Sequence, residues 1–206
     1  MRIAASIPVT TCHLTLVAGI GLAPFPAAAG DWPVDRIVSV ATGDLDADGA
    51  RDAALLVAPD PDGTDDHALI ILRGTGFDEG AMEPWLSFPD AAWGGAGMMV
   101  GNRPSVDFAA SGSLLLKSGN EAIGRNRWNQ TVTLAWRDET LLIAGFTHSF
   151  YDTLDPDANG GCDINVLTGK GIVREETTET AVSLSPQRLT LEQWLAQGSP
   201  SLCPDS

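Results

Sequence analysis

The feature that most constrains this chain is an acidic loop of nine residues between two short apolar segments. From Asp44 to Asp52 it places carboxylates at positions one, three, five and nine, and glycine at position six. This spacing is typical of a calcium loop, in which alternate side chains point inward toward one ion. The flanking segments, 36–41 and 53–58, are apolar and partly β-branched, so they predict strands on both sides of the loop.

The loop offers the hard oxygen ligands that calcium prefers, of which a complete shell holds roughly six to eight. We expect the ligands to be the side chains of Asp44, Asp46, Asp48 and Asp52, with the backbone carbonyl of Ala50 at position seven. Four like charges in so short a segment repel one another unless a cation lies between them. An acidic turn that binds no metal is the competing interpretation, because aspartate and glycine are common in turns.

The flanking strands exclude one class of calcium site and favour another. A helix–loop–helix site needs a glutamate at position twelve, where this chain has Leu55. The strand–loop–strand pattern over 38–57 resembles the FG-GAP/VCBS repeat, the calcium-loop repeat of integrin-type β-propellers. Further along, a G-R-x-R-W element at 124–128, an alternating strand and an acidic turn are similar to the later part of uncharacterised exported bacterial proteins with a single FG-GAP-like motif. That resemblance implies fold and location rather than an activity.

A second segment repeats the calcium template with asparagine at position five and glycines at positions six and seven. Its candidate ligands, by the same spacing rule, are Asp155, Asp157, Asn159, Gly161 and Asp163. A proline, asparagine and glycine turn without metal competes with this interpretation, because these residues are frequent in turns.

The N-terminus has the three parts of a secretory signal peptide. Arg2 supplies the positive charge, an apolar stretch covers 14–22, and three alanines ending at Ala29 form a small-residue cleavage site. We therefore expect residues 1–29 to be removed and residues 30–206 to form one β-rich domain in the periplasm or outside the cell. The alternative is a membrane anchor, but the stretch is short and broken by prolines, so it spans a bilayer poorly.

Removal of this leader leaves two cysteines, Cys162 and Cys203. An even number of cysteines in an exported chain favours a disulfide between them, because the compartment is oxidising. Two unpaired thiols remain the alternative, since the sequence gives no distance between the two residues.

The charge of the chain limits its partners. It carries 27 acidic and 12 basic side chains, for a net charge of −15. Such a surface repels nucleic acid and anionic membranes and favours cations and basic partners. We therefore expect no nucleic-acid partner and no membrane association after leader removal, and a protein or carbohydrate ligand whose identity the sequence does not give. The hydrophobic fraction of 44% predicts a packed core.

The remaining segments predict antiparallel hairpins and one short helix. Alternation over 130–137, a tight acidic turn and an apolar segment at 140–148 predict a hairpin. Segment 74–104 lacks periodicity, so we expect a long irregular loop with one short helix near 89–93. Thr190, with glutamine three residues later, predicts a capped C-terminal helix. The fold class is therefore mostly β, with antiparallel hairpins around the calcium-type loop.

The sequence contains no recognisable catalytic motif. It lacks a nucleophile elbow, an HExxH zinc motif and a phosphate-binding loop. We therefore expect a non-enzymatic binding or accessory module with structural calcium. One alternative is a hydrolase that uses loop carboxylates, which requires a concave pocket with convergent polar groups of perturbed pKa. Another is a propeller-like fragment that needs a partner, which requires an exposed apolar sheet edge.

Overall fold

Two antiparallel sheets and one short helix make up the part of the chain that the structure describes. This confirms the expectation of a mostly β fold. Within these residues, no helix is both long and apolar enough to cross a membrane. The predicted leader, 1–29, lies outside the described residues. The structure is a computed structural model and describes residues 34–60, 66–76, 80–95 and 101–204.

The first sheet is a four-stranded meander in which each strand pairs with the next along the chain. A short 3-10 turn at Val34–Arg36 leads into it. Strand β2 lies between β1 and β3 and is buried along its whole length, and its Ala54 and Leu56 belong to the core. The acidic loop that precedes β2 is therefore attached to a firmly packed strand. The strands are β1 (Ile37–Gly43), β2 (Asp52–Val57), β3 (Asp66–Gly74) and β4 (Met82–Trp93).

Strand β4 occupies much of the segment expected to be irregular, and no helix forms at 89–93. It pairs with β3, but the register shifts between His67 and Leu69 of β3. The extra β4 residues at that point include Pro89 and Asp90, and Asp90 has a φ of 52°. A β-bulge accommodates a proline because the bulged residue makes no ladder hydrogen bond. The bulge also breaks the alternation by which a strand is recognised, and this explains the wrong prediction.

The second sheet is a seven-stranded meander that contains the predicted hairpin. Gln130 of β7 lies opposite His148 of β8, which confirms that hairpin. Asp138 and Glu139 form its turn with φ values of 49° and 58°, as expected for a turn that matches the right-handed twist of the strands. The strands are β5 (Ser105–Phe108), β6 (Leu114–Asn120), β7 (Asn126–Arg137), β8 (Thr140–Asp152), β9 (Asn159–Asn165), β10 (Lys170–Glu175) and β11 (Thr178–Ser183).

The core lies between the two sheets and is continuous across them. Trp85 of β4 packs against Trp136 of β7 with ring centroids 4.4 Å apart, which joins the sheets on one side. Each fully buried apolar side chain of this core contributes about 1.5–3 kcal/mol through the hydrophobic effect. Its largest members with less than 2% exposure are Trp194, Phe146, Leu56, Leu69, Ile71, Leu114, Leu134, Ile143, Ile164 and Leu191.

The helix α1 (Leu191–Ala196) closes the core near the C-terminus. Thr190 is its N-cap: the threonine hydroxyl accepts a hydrogen bond from the Gln193 N–H, and the Gln193 side chain accepts one from the Thr190 N–H. This is the predicted capping box. Trp194 is 1% exposed, and its indole N–H donates to the carbonyl of Pro200 at 2.8 Å. The helix therefore holds the chain that follows it against the core.

A disulfide fixes this C-terminal segment to the second sheet. The sulfurs of Cys162 and Cys203 lie 2.08 Å apart and the Cα atoms 5.7 Å apart, in agreement with the pairing predicted from the sequence. Cys162 is fully buried in β9, and Cys203 is partly buried and packs against the core.

Candidate metal centre

The acidic loop connects β1 to β2 at one end of the first sheet. Asp44, Asp46 and Asp48 each contribute a carboxylate oxygen to a cluster in which these atoms lie within 4.8 Å of one another. The side chains predicted at positions one, three and five of the calcium template therefore do come together. Oxygens this close, on three carboxylates, can share one divalent cation.

Hydrogen bonds between the loop's own side chains and backbone produce this arrangement. The Asp48 N–H donates to Asp46 Oδ1 at 3.2 Å, and the Ala50 N–H donates to Asp48 Oδ1 at 2.8 Å. The Gly49 N–H donates to Asp44 Oδ2 at 3.1 Å. Gly49 has a φ of 90°, which a residue without Cβ adopts at little cost. These bonds from backbone N–H groups to nearby aspartate side chains form tight turns, so the backbone of the loop surrounds the carboxylates. The carbonyl of Ala50 stays a predicted ligand.

One carboxylate oxygen of Asp44 is buried and lacks a donor among the described residues. Asp44 Oδ1 has no hydrogen-bond partner among the described residues, although almost none of its surface is accessible to solvent. A buried carboxylate oxygen without a partner destabilises the folded state. The side chain of Asp46 is also only 5% exposed. Two carboxylates of the cluster are therefore partly withdrawn from water, an arrangement that a bound cation would stabilise.

Arg73, at the end of β3, compensates part of the negative charge. Its Nη2 lies 2.6 Å from Asp46 Oδ2 and 3.2 Å from Asp48 Oδ2. The guanidinium also lies 5.2 Å from the centre of the Trp85 ring, a cation–π distance. The Ala50 N–H, and then Arg73, hold the pKa of Asp48 below its ordinary value. The three acidic side chains of the cluster therefore outnumber the one guanidinium that pairs with them, so room remains for a second positive group.

Asp52, predicted as the ligand at position nine, has a different role in the structure. It is fully buried, and its Oδ2 accepts the Leu45 N–H at 2.7 Å while its Oδ1 accepts the Gly74 N–H at 3.0 Å. Burial raises the pKa of Asp52, and the nearby charges of Asp46 and Asp48 raise it further. Asp52 is outside the cluster of ligand oxygens. It ties the start of the loop to the end of β3 instead.

The second calcium-like segment runs directly into a strand. Strand β9 already begins at Asn159, which pairs with Tyr151 of β8. Asn159 and Asp163 therefore lie four residues apart on an extended strand, roughly 13 Å at about 3.3 Å per residue, too far to share an ion. The side chain of Asn159 donates to the Pro156 carbonyl at 2.7 Å. Among the described residues, the three carboxylates of this segment do not form a cluster like that of the first loop. The whole candidate ligand set stays a prediction: Asp155, Asp157, Asn159, Gly161 and Asp163.

Arg73 is the site residue that the sequence did not indicate. It is separated from Asp48 by 25 positions, so no local motif contains both. The order of the strands could have indicated Arg73. When three successive strands of a sheet are antiparallel, the loop between the first two and the end of the third lie at the same end of the sheet. A basic residue at the end of the third strand can therefore reach an acidic first loop.

The comparisons with known proteins identify no relative of this chain. No family model, curated protein or solved structure matches the chain. The resemblance of the loop to FG-GAP/VCBS repeats therefore stays a prediction based on residues 38–57.

Proposed function

We propose that this protein is an exported, non-enzymatic binding or accessory module whose acidic loop holds a structural calcium ion. The observation that carries the proposal is the gathering of oxygens from Asp44, Asp46 and Asp48 within 4.8 Å. The buried Asp44 Oδ1 adds an acceptor that lacks a donor among the described residues. Calcium suits this donor set, because it prefers carboxylate and carbonyl oxygens and tolerates irregular geometry.

A structural role for the ion follows from where the loop is attached. Its first residues continue β1, its last residue begins β2, and Asp52 links it to Gly74 at the end of β3. A cation in the loop would therefore stabilise the point at which three strands meet. The buried disulfide supports export, because such bonds persist in oxidising compartments.

The hydrolase alternative receives less support from the loop. General acid catalysis needs a carboxyl group that is protonated near neutral pH. Hydrogen bonding lowers the pKa of Asp48, so this carboxylate suits a cation better than a proton. Burial raises the pKa of Asp52, but Asp52 is fully buried and both of its oxygens accept backbone N–H groups, so a substrate does not reach it. The two described histidines, His67 and His148, lie in different sheets.

The fragment alternative requires an apolar sheet edge that a partner would cover. Strand β11 forms one edge of the second sheet, and its exposed residues include Thr178, Glu179 and Thr180. Polar and charged edges disfavour strand addition. At the outer strand of the first sheet, the Val106 N–H of β5 donates to Ser39 Oγ of β1 at 3.1 Å, so β1 is covered in part by the second sheet.

Calcium-dependent melting tests the proposal. Extracellular calcium modules bind with dissociation constants of about 10⁻⁴–10⁻³ M, and a tenfold excess over that constant contributes roughly 1.4 kcal/mol to stability. We expect calcium to raise the melting temperature of the processed protein by roughly 3–6 °C relative to chelator. Magnesium should do less, because it demands near-octahedral geometry and retains its waters.

Three variants locate the ion. Asp44→Asn should lose most of the calcium shift, while Asp60→Asn should keep it, because Asp60 pairs with Arg36 at the other end of the sheet. Arg73→Gln should respond at lower calcium concentrations, because it removes a cation that competes for Asp46 and Asp48. An unchanged shift in Asp44→Asn would place the ion elsewhere, and no shift in the wild type would refute the proposal.

A further inference from the structure

Arg73 already places a positive charge on the acidic cluster. One nitrogen of its guanidinium, Nη2, lies 2.6 Å from Asp46 Oδ2 and 3.2 Å from Asp48 Oδ2. The other oxygen of each carboxylate, Oδ1, accepts a backbone N–H of the loop. A metal ion that used either Oδ2 would therefore lie close to the guanidinium and be repelled by it. Strong binding of a metal by these two carboxylates thus requires the guanidinium to move away.

The side chain of Arg73 can move, whereas its backbone is fixed beside the loop. The next residue, Gly74, donates its N–H to the buried Asp52 at 3.0 Å. A Cβ on Gly74 would lie 2.6 Å from the carbonyl oxygen of Arg51, so the end of β3 packs directly against the loop. The Arg73 side chain is 41% exposed, while that of Asp46 is 5% exposed. Of the two partners in this ion pair, the arginine is therefore the one with room to change position.

The ring of Trp85 offers the guanidinium a second favourable position. The central carbon of the guanidinium lies 5.2 Å from the centre of this ring, and an arginine within about 6 Å of a tryptophan face is attracted to it. Trp85 is half-buried and packs against Trp136 with ring centroids 4.4 Å apart, so contact with the second sheet holds the ring in place. A guanidinium that leaves Asp46 and Asp48 therefore keeps one attractive contact.

We propose that Arg73 makes the acidic loop select divalent over monovalent cations. The inference rests on the calcium site proposed above and adds the residue that sets its selectivity. A monovalent ion carries no more charge than the guanidinium that it must displace, and the guanidinium is held at the site by the chain. A divalent ion gains about twice the attraction to the same carboxylates, so it displaces the guanidinium where sodium does not. Calcium binding then moves the guanidinium from Asp46 and Asp48 toward Trp85.

Competition with sodium tests the selectivity. Calcium is titrated calorimetrically into the processed protein in sodium chloride or in N-methylglucamine chloride at equal ionic strength. The two salts screen charges equally, but only sodium is small enough to bind among the carboxylates. We expect Arg73→Gln to bind calcium roughly two- to tenfold more tightly than the wild type in N-methylglucamine chloride, the range for one or two exposed ion pairs. Sodium should weaken calcium binding to Arg73→Gln by roughly twofold or more and leave the wild type nearly unchanged.

Two further variants separate this role from a general effect of charge. Arg73→Lys keeps a positive charge, and one nitrogen makes both contacts in the wild type, so this variant should stay nearly insensitive to sodium. Arg51→Gln is the matched control, because it removes the same charge from an exposed arginine beside the loop that pairs with neither Asp46 nor Asp48. It should tighten calcium binding less than Arg73→Gln does and should also remain insensitive to sodium.

Tryptophan fluorescence reports the movement of the guanidinium. Calcium should change the fluorescence of the wild type in a saturable way, with the midpoint of the calorimetric titration, because the charge beside Trp85 shifts. Arg73→Gln should lose most of this change although it binds calcium. Trp85→Phe should also lose it and keep calcium binding, because phenylalanine retains an aromatic face for the guanidinium.

Three outcomes would overturn the inference. They are equal calcium affinity of Arg73→Gln and the wild type, equal sensitivity of the two proteins to sodium, and a full fluorescence change in Arg73→Gln. Each of them leaves the calcium site intact, because that site is judged by Asp44→Asn. Absence of calcium binding in both the wild type and Arg73→Gln would instead refute the calcium site and this inference together.

Discussion

The double variant Cys162→Ala/Cys203→Ala should melt roughly 8–16 °C below the wild type, if each kcal/mol lowers the melting temperature by about 2–4 °C. The disulfide joins residues 41 positions apart, and the chain-entropy model gives a loop of that size about 4 kcal/mol of stabilisation. The segment that the disulfide closes contains β10, β11 and α1. Loss of the disulfide therefore frees the whole C-terminal part of the unfolded chain. We therefore expect this change to be among the most destabilising in the protein.

Chemical denaturation of the oxidised wild type, the reduced wild type and the double variant provides the check. The reduced wild type should resemble the double variant, because both lack the crosslink. Cys162 is fully buried, so alanine also leaves a small void there, which adds to the destabilisation. A double variant that melts within about 2 °C of the oxidised wild type would show that the crosslink contributes little, contrary to the chain-entropy estimate.

Asp52→Ala should destabilise the protein by roughly 2–6 kcal/mol, because it leaves two buried N–H groups without acceptors at about 1–3 kcal/mol each. These donors are the backbone amides of Leu45 and Gly74. Relief of repulsion from Asp46 and Asp48 offsets part of this loss. Urea denaturation in chelator measures the effect without a contribution from bound metal.

Asp52→Asn is the matched control, because its single carbonyl oxygen can serve only one of the two donors. It should therefore be more stable than Asp52→Ala and less stable than the wild type. It should also retain the calcium-dependent shift in melting temperature, because Asp52 is outside the cluster of ligand oxygens. Wild-type stability in Asp52→Ala, or complete loss of the calcium response in Asp52→Asn, would contradict the anchoring role of Asp52.

The raised pKa of Asp52 predicts how the stability of the metal-free protein changes with pH. Burial raises its folded-state pKa above the ordinary value of 3.8, so protonation favours the folded state. The stabilisation from protonated Asp52 is fully present below pH 3.8, the ordinary pKa of aspartate. It is lost as the pH rises through the folded-state pKa. Relative to Asp52→Asn, the wild type in chelator should therefore lose stability as the pH rises from about 4. The opposite trend would show that the hydrogen bonds outweigh burial.

Elements with strong local signals could be predicted from the sequence. The β7–β8 hairpin has clean alternation around a two-residue acidic turn, and α1 has a complete capping box. Strand β4 could not be predicted, because its proline-containing bulge hides the alternation and its pairing depends on β3. A local pattern reports a strand poorly where a bulge interrupts the alternation of its side chains.

In the acidic loop, too, local features could be predicted from the sequence and contacts with other strands could not. Spacing correctly predicted that Asp44, Asp46 and Asp48 come together, since the loop's own hydrogen bonds hold them. It did not predict the roles of Asp52 and Arg73, because both depend on the end of β3. It also did not predict that the second template runs into a strand, because pairing with β8 extends the chain from Asn159 onward. The spacing of a motif therefore predicts a ligand loop only where strand pairing does not extend the same residues.

Calorimetric titration of calcium into the metal-free, processed protein tests the central proposal most directly. The wild type should show saturable binding of a single ion to the acidic loop, with a dissociation constant of about 10⁻⁴–10⁻³ M. Asp44→Asn should lose that binding, and Asp60→Asn should retain it. Absence of saturable binding in the wild type, or unchanged binding in Asp44→Asn, would contradict a calcium site formed by Asp44, Asp46 and Asp48.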